Sequence, residues 1–157
     1  MSRACCFTGH RSLPPETDFS YAALRESLSR AIDEAIRERD CMTFYTGGAV
    51  GFDLLAAELV LARRKTAPRP ELIVCCPYCG HDAHFSADEK RRWAAVRERA
   101  KQTLYLADRY SPNVFFNRNR YMVDRSDVLI AYVRNPDSGS GQTYALAKQR
   151  GLDILLL

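Results

Sequence analysis

Thr46-Gly47-Gly48-Ala49-Val50-Gly51-Phe52-Asp53 places three glycines within five residues and an acid two residues after the last of them. Glycine lets a backbone approach a ligand closely, and the first N–H groups of a helix have no partners of their own. With the positive end of the helix dipole added, such a run between a strand and a helix suits an anion. The dinucleotide fingerprint GxGxxG is matched only at Gly48 and Gly51, because Thr46 stands where its first glycine belongs. A Walker A loop needs Lys-Ser/Thr after the last glycine, and Phe52-Asp53 stands there instead. A plain strand-to-helix turn needs less glycine than this.

Other residues add chemistry of the same kind. Thr8-Gly9-His10-Arg11 follows the first strand-like run. Arg11 can bind phosphate or carboxylate through a bidentate fork, and Gly9 permits close approach. His10 and Asp53 are the candidate catalytic residues, as a general acid–base pair. Their plainer readings are a histidine that hydrogen-bonds a neighbouring loop and an aspartate that caps a helix. Asp53 is also placed to accept from ribose hydroxyls. A second loop, Ser138-Gly139-Ser140-Gly141-Gln142-Thr143, leads into another helix, where Gly139, Gly141 and Thr143 are expected beside the ligand. Arg118 and Asn119 lie in Asn117-Arg118-Asn119-Arg120, where helical spacing sends only one of the two arginines to the pocket. Asp124 and Asp127 are read as structural.

Cys76-Pro-Tyr-Cys79-Gly-His81-Asp-Ala-His84 holds residue types that suit zinc. Its spacing is too cramped for the usual structural zinc modules, so no bound metal is expected. The adjacent pairs Cys5-Cys6 and Cys75-Cys76 lie in apolar runs and are expected to alternate across two neighbouring central strands, reduced and structural. Cys79, on a loop, is the cysteine expected to react with a thiol reagent.

The elements that must position these residues alternate along the whole chain. Strands are expected at Ala4–Thr8, Met42–Tyr45, Leu72–Cys76, Thr103–Leu106, Asp127–Val133 and Leu152–Leu156. Helices are expected over Phe19–Arg39, Phe52–Arg64, the segment after a Ser86/Glu89 capping box, Val114–Arg125 and Gly141–Arg150. This alternation implies an α/β/α sandwich around a mostly parallel sheet of about five to seven strands. Ligands in such sheets bind beyond the carboxyl ends of the strands. The loops that matter are therefore Thr8–Arg11, the glycine loop, Pro77–His84, Arg109–Arg120 and Asn135–Thr143.

With 157 residues, 46% hydrophobic and 27% charged, the chain fits one ordinary globular domain spanning 1–157. A net charge of +4 permits an anionic ligand without demanding nucleic acid. Met1-Ser2-Arg3 leads straight into a strand rather than a signal peptide, no run approaches a membrane span, and a cytoplasmic location is expected. No linker or repeat interrupts the chain, and no appended domain is expected after the last strand.

Phe7-Thr-Gly-His-Arg11, the Thr46–Asp53 run and Arg118-Asn-Arg-Tyr-Met-Val-Asp-Arg-Ser-Asp127 together resemble the SLOG superfamily, nearest to its YpsA-like bacterial branch. The Gly-Ala-x-Gly-x-Asp run and the order Arg-Asn-Arg, Ser-Gly-Ser, Thr, Ala are similar to the DNA-processing protein DprA, with the cytokinin-activating LOG enzymes more distant. The resemblance implies a Rossmann-like domain that binds a nucleotide or phosphoribosyl-containing ligand, used as a sensor or regulatory module without any further cofactor. It puts the glycine loop in the ligand site. LOG-type N-glycoside hydrolysis and DprA-like single-stranded DNA binding remain the alternatives. The glutamate that LOG enzymes use is replaced here by Leu146, which counts against that hydrolysis. A membrane partner is not expected, nucleic acid is the less favoured partner, and self-association stays open.

Overall fold

A computed structural model of the chain describes residues 2–157, and Met1 lies outside the described residues. Six strands form one sheet: β1 (Arg3–Gly9), β2 (Cys41–Thr46), β3 (Glu71–Cys76), β4 (Gln102–Tyr105), β5 (Val128–Tyr132) and β6 (Asp153–Leu156). Their order across the sheet is β4-β3-β2-β1-β5-β6, and every neighbouring pair is parallel. Five helices connect them: α1 (Phe19–Arg37), α2 (Phe52–Ala62), α3 (Ala87–Arg99), α4 (Val114–Asp124) and α5 (Gly139–Gln149). A strand feeding a helix feeding the next strand buries one face of each helix on the sheet, which gives the expected three layers.

Period-two alternation divides the core. Cys5, Phe7, Phe44, Leu72 and Val74 face α1, α2 and α3, where Leu28, Ile32, Val60 and Trp93 are buried. Cys6, Ile73, Cys75 and Leu129 face the opposite layer, which supplies Met122 and Ala147. Helix α2 is apolar on nearly every side because it packs between the sheet and its helical neighbours, and Phe52 through Ala57 are all buried.

Several details differ from the sequence reading. β1 and β3 are not neighbours, because β2 pairs with both. The cysteine pairs therefore sit two strands apart, although within each pair the two thiols do face opposite layers. Helix α1 stops at Arg37, where the N–H groups of Glu38 and Arg39 both turn back to the Glu34 carbonyl and Asp40 takes a φ of +59°. The end of α2 tightens into a 3-10 turn over Arg63–Lys65. Helix α5 starts two residues early, at Gly139, because Ser138 caps it by accepting the Gly141 N–H. The capping box at Ser86 and Glu89 is present in both directions.

All six cysteines are free thiols, and five are buried. Burial pushes the thiols of Cys6, Cys75 and Cys76 up to about 12, which removes the reactive thiolate at neutral pH. Brief iodoacetamide treatment of the folded protein is expected to add one group, on Cys79, with six adducts only after denaturation. Intact-mass and peptide analysis checks this, and rapid labelling of a strand cysteine would contradict it.

Candidate functional site

The chain winds outward from β1 to β4, then returns to place β5 on the other side of β1. Strand order reverses there, so the loops after β1 and β5 part from each other and open a crevice. A cavity of about 590 Å³ lies at that point. Its walls come from Phe7–Ser12 at the end of β1 and just beyond it, Ala49 and Asp53 after β2, Asn135 and Ser138–Ser140 after β5, and Phe115, Arg118 and Asn119 from α4.

Arg118 is the chemical centre of this cleft. It projects from α4 and is 6% exposed, while Arg120 two positions on is at the surface, its guanidinium over Phe116. The Arg118 Nε donates to Asn119 Oδ1 at 2.7 Å, and Nη1 donates to the Gly47 carbonyl. Burial pulls its pKa down, partly offset by the charge of Asp53. Arg11 adds a second cation on the same wall, 4.9 Å above the Phe115 ring, and its charge opposes that of Arg118.

Asp53 turns inward. Its carboxylate accepts the Ala49 N–H at 3.3 Å and lies against Gly47, so it closes the glycine loop from beneath. Burial raises its pKa against the pull of Arg118. The glycines of this loop are used for close packing. A Cβ on Gly47 would lie 2.6 Å from Asp53 Oδ2, and one on Gly51 would lie 2.3 Å from the Arg11 carbonyl oxygen. Gly51 also has a φ of +73°, which L side chains avoid. The Phe52 N–H donates to the His10 carbonyl, so the first N–H of α2 is taken by the first loop rather than free for a ligand. Gly9 is pinned against the Phe52 ring in the same contact.

His10 bridges two loops. The Arg134 N–H donates to Nε2 at 2.7 Å, which leaves the ring hydrogen on Nδ1, 3.2 Å from Ser140 Oγ. Both ring nitrogens therefore join β1 to the segment after β5. Thr143 donates its hydroxyl to the Gly139 carbonyl, and Gly141 packs on the Pro136 backbone. The structure thus brings Thr8, Gly9, His10, Arg11, Ala49, Asp53, Arg118, Asn119 and Gly139 to the cavity wall. Gly47, Gly48, Gly51, Gly141 and Thr143 lie behind that wall and hold it.

Ser12, Phe115, Asn135, Ser138 and Ser140 also line the cavity and were not among the expected ligand residues. The rule of loops after strands pointed to the segment around Asn135, but nothing local distinguished which side chains face inward. His81, a residue of zinc-binding type in the sequence, has a different role in the structure. It stands in the loop after β3, and Nε2 donates to the Gly48 carbonyl at 3.0 Å, which fixes the outer side of the glycine loop. Cys76 is buried in the core, Cys79 and His84 are exposed, and among the described residues no group of three or more His, Cys, Asp or Glu is arranged to hold a metal ion. Asp124 and Asp127 are tied to Arg150 and to the Ala4 N–H. Among the described residues no helix is long and apolar enough to cross a membrane.

Two solved DprA structures share this fold. DprA from Streptococcus pneumoniae superposes with a TM-score of 0.67 at 16% identity, over 99% of this chain and 50% of that one. DprA from Helicobacter pylori, described by its single-stranded DNA binding mode, also gives 0.67, at 19% identity over 98% of this chain and 64% of that one. This chain thus spans about half to two thirds of those proteins. In sequence it is similar to the uncharacterized SPbeta prophage-derived protein YoqJ of Bacillus subtilis (strain 168), 27% identical over 138 residues, which is 80% of this chain and 81% of YoqJ. Residues 5–151, from within the first strand to just past α5, match the YspA SLOG family, and the chain belongs to it.

Proposed function

We propose that the cleft binds a nucleotide or other phosphoribosyl compound and that the chain acts as a ligand-sensing module. One observation carries this reading: two arginines, one of them buried, converge on the cavity at the switch point of the sheet. Asp53 supplies a single negative charge and is committed to the glycine loop. An anion against Arg11 and Arg118 relieves their mutual repulsion, and a phosphoryl group matches the fork geometry of guanidinium. The start of α5 lies across the same cavity, with Gly139 and Ser140 in the first turn. The anion seat is therefore assigned to the arginines and α5 rather than to the glycine loop.

Binding without turnover is supported by how the candidate acid and base are used. Both nitrogens of His10 hold loops, and the Asp53 carboxylate holds the glycine loop. Leu146, at the position of the LOG glutamate, packs against the core layer behind α5.

Thermal shift with ribose 5-phosphate and nucleoside 5′-monophosphates tests the proposal. A ligand at 100 times its Kd adds about 2.7 kcal/mol, which is roughly 5–10 °C for a chain of this size. Arg11→Gln is expected to weaken binding roughly tenfold or more, the scale of a charge-assisted hydrogen bond. No shift with any of these compounds would overturn the reading. Release of free base during incubation would move the assignment to a hydrolase. Oligonucleotide binding that weakens steeply with salt would move it to single-stranded DNA, a reading favoured by the exposed Tyr110, Phe116 and Arg120.

A further inference from the structure

A second, smaller cavity of about 220 Å³ adjoins the first, and Arg11, Ala49, Phe115 and Arg118 line both. Its remaining wall is unlike that of its neighbour, being built from Val50, Pro77, Tyr78, His81, His84 and Phe85. The rings meet edge to face around the space. Tyr78 and His81 are 6.3 Å apart at 77°, His81 and Phe85 5.6 Å at 86°, and Tyr78 and Phe115 6.3 Å at 75°. The two arginines at its mouth disfavour a cation, and the hydrogen bond from His81 Nε2 to the Gly48 carbonyl commits that nitrogen to the loop.

From this arrangement we infer that the aromatic cavity is the seat of the ligand's nucleobase, so that the ligand is a base-bearing nucleoside phosphate rather than a bare sugar phosphate. The inference rests on the phosphate reading above, because the shared arginines set where the phosphoryl group lies and hence which neighbour the base reaches. The volume fits one ring system: whole-ligand pockets run about 300–1,000 Å³, and this one is smaller, with the sugar left to the larger space. A flat π-face is what ring-lined walls hold best, and stacking tolerates any base. Five of the six residues unique to this wall, from Pro77 to Phe85, come from the loop after β3, which also carries Cys79.

The test compares ribose 5-phosphate with each of the four common ribonucleoside 5′-monophosphates by titration calorimetry. The wild-type protein is expected to bind at least one monophosphate roughly tenfold to a hundredfold more tightly than ribose 5-phosphate, the scale of one base stacked on aromatic side chains. Val50→Trp fills the cavity and Phe85→Ala removes a wall. In each variant the preference is expected to fall to within about threefold while ribose 5-phosphate affinity holds. Two variants acting from opposite sides guard against one that fails to fold.

Equal wild-type affinity for sugar phosphate and nucleotide would overturn the base subsite and leave the phosphate reading standing. A preference that survives both variants would also overturn it. If neither class of compound binds, both readings fall. Binding of a single-stranded oligonucleotide with no mononucleotide affinity would replace the small ligand as occupant.

Discussion

Replacing Arg118 with leucine is expected to destabilise the protein by about 3–5 kcal/mol and to abolish ligand binding. The change leaves the buried Asp53 carboxylate without its nearest cation and the Gly47 carbonyl without its donor. Urea denaturation gives the magnitude, and adding Asp53→Asn is expected to restore part of the loss, a coupling that a double-mutant cycle reads directly. The pH dependence has a defined sign. Asp53 titrates above its ordinary value of 3.8 because burial outweighs the pull of Arg118. Between those two pKa values the native state binds more protons than the unfolded chain, so stability falls as pH rises through the window. Without Arg118 the window moves upward. The Arg118→Leu variant is therefore expected to regain stability as pH is lowered from neutral toward the ordinary carboxylate range, and the double variant is not. A single variant as stable as wild type, or one indifferent to pH, would show that the pair contributes nothing to the fold.

Gly51→Ala is expected to cost about 2–5 kcal/mol, the sum of left-handed backbone strain and overpacking. At a φ of +73° the added Cβ would lie 2.3 Å from the Arg11 carbonyl oxygen. Backbone atoms on both sides leave no flexible side chain to move aside. Gly139→Ala is the control, because a Cβ there meets nothing within 4 Å, and its effect is expected within about 0.5 kcal/mol. Equal melting temperatures for the two variants would mean that the first loop yields to relieve the contact. The comparison also separates function from fold, since Gly139 lines the cavity and Gly51 lies behind it.

The sequence by itself determined a great deal about this protein. Period-two and period-3.6 patterns located all six strands and all five helices, and their alternation implied a parallel sheet with helices on both faces. Helical spacing separated Arg118 from Arg120, because residues two apart on a helix point to different sides. The rule of strand carboxyl ends selected the loops that meet at the cleft. Periodicity, however, reports which residues share a face and says nothing of what that face meets. Only the tertiary structure decided that β2 stands between β1 and β3, since strand order is set by pairing between distant segments. The same limit governs the glycine loop. Three glycines announce free backbone N–H groups without saying where they point, and here that of Ala49 turns inward to Asp53. The aromatic cavity shows the limit most plainly: Val50, Tyr78, Phe85 and Phe115 share no motif, and they became neighbours only because the loops after β2 and β3 and the start of α4 meet at one edge of the sheet.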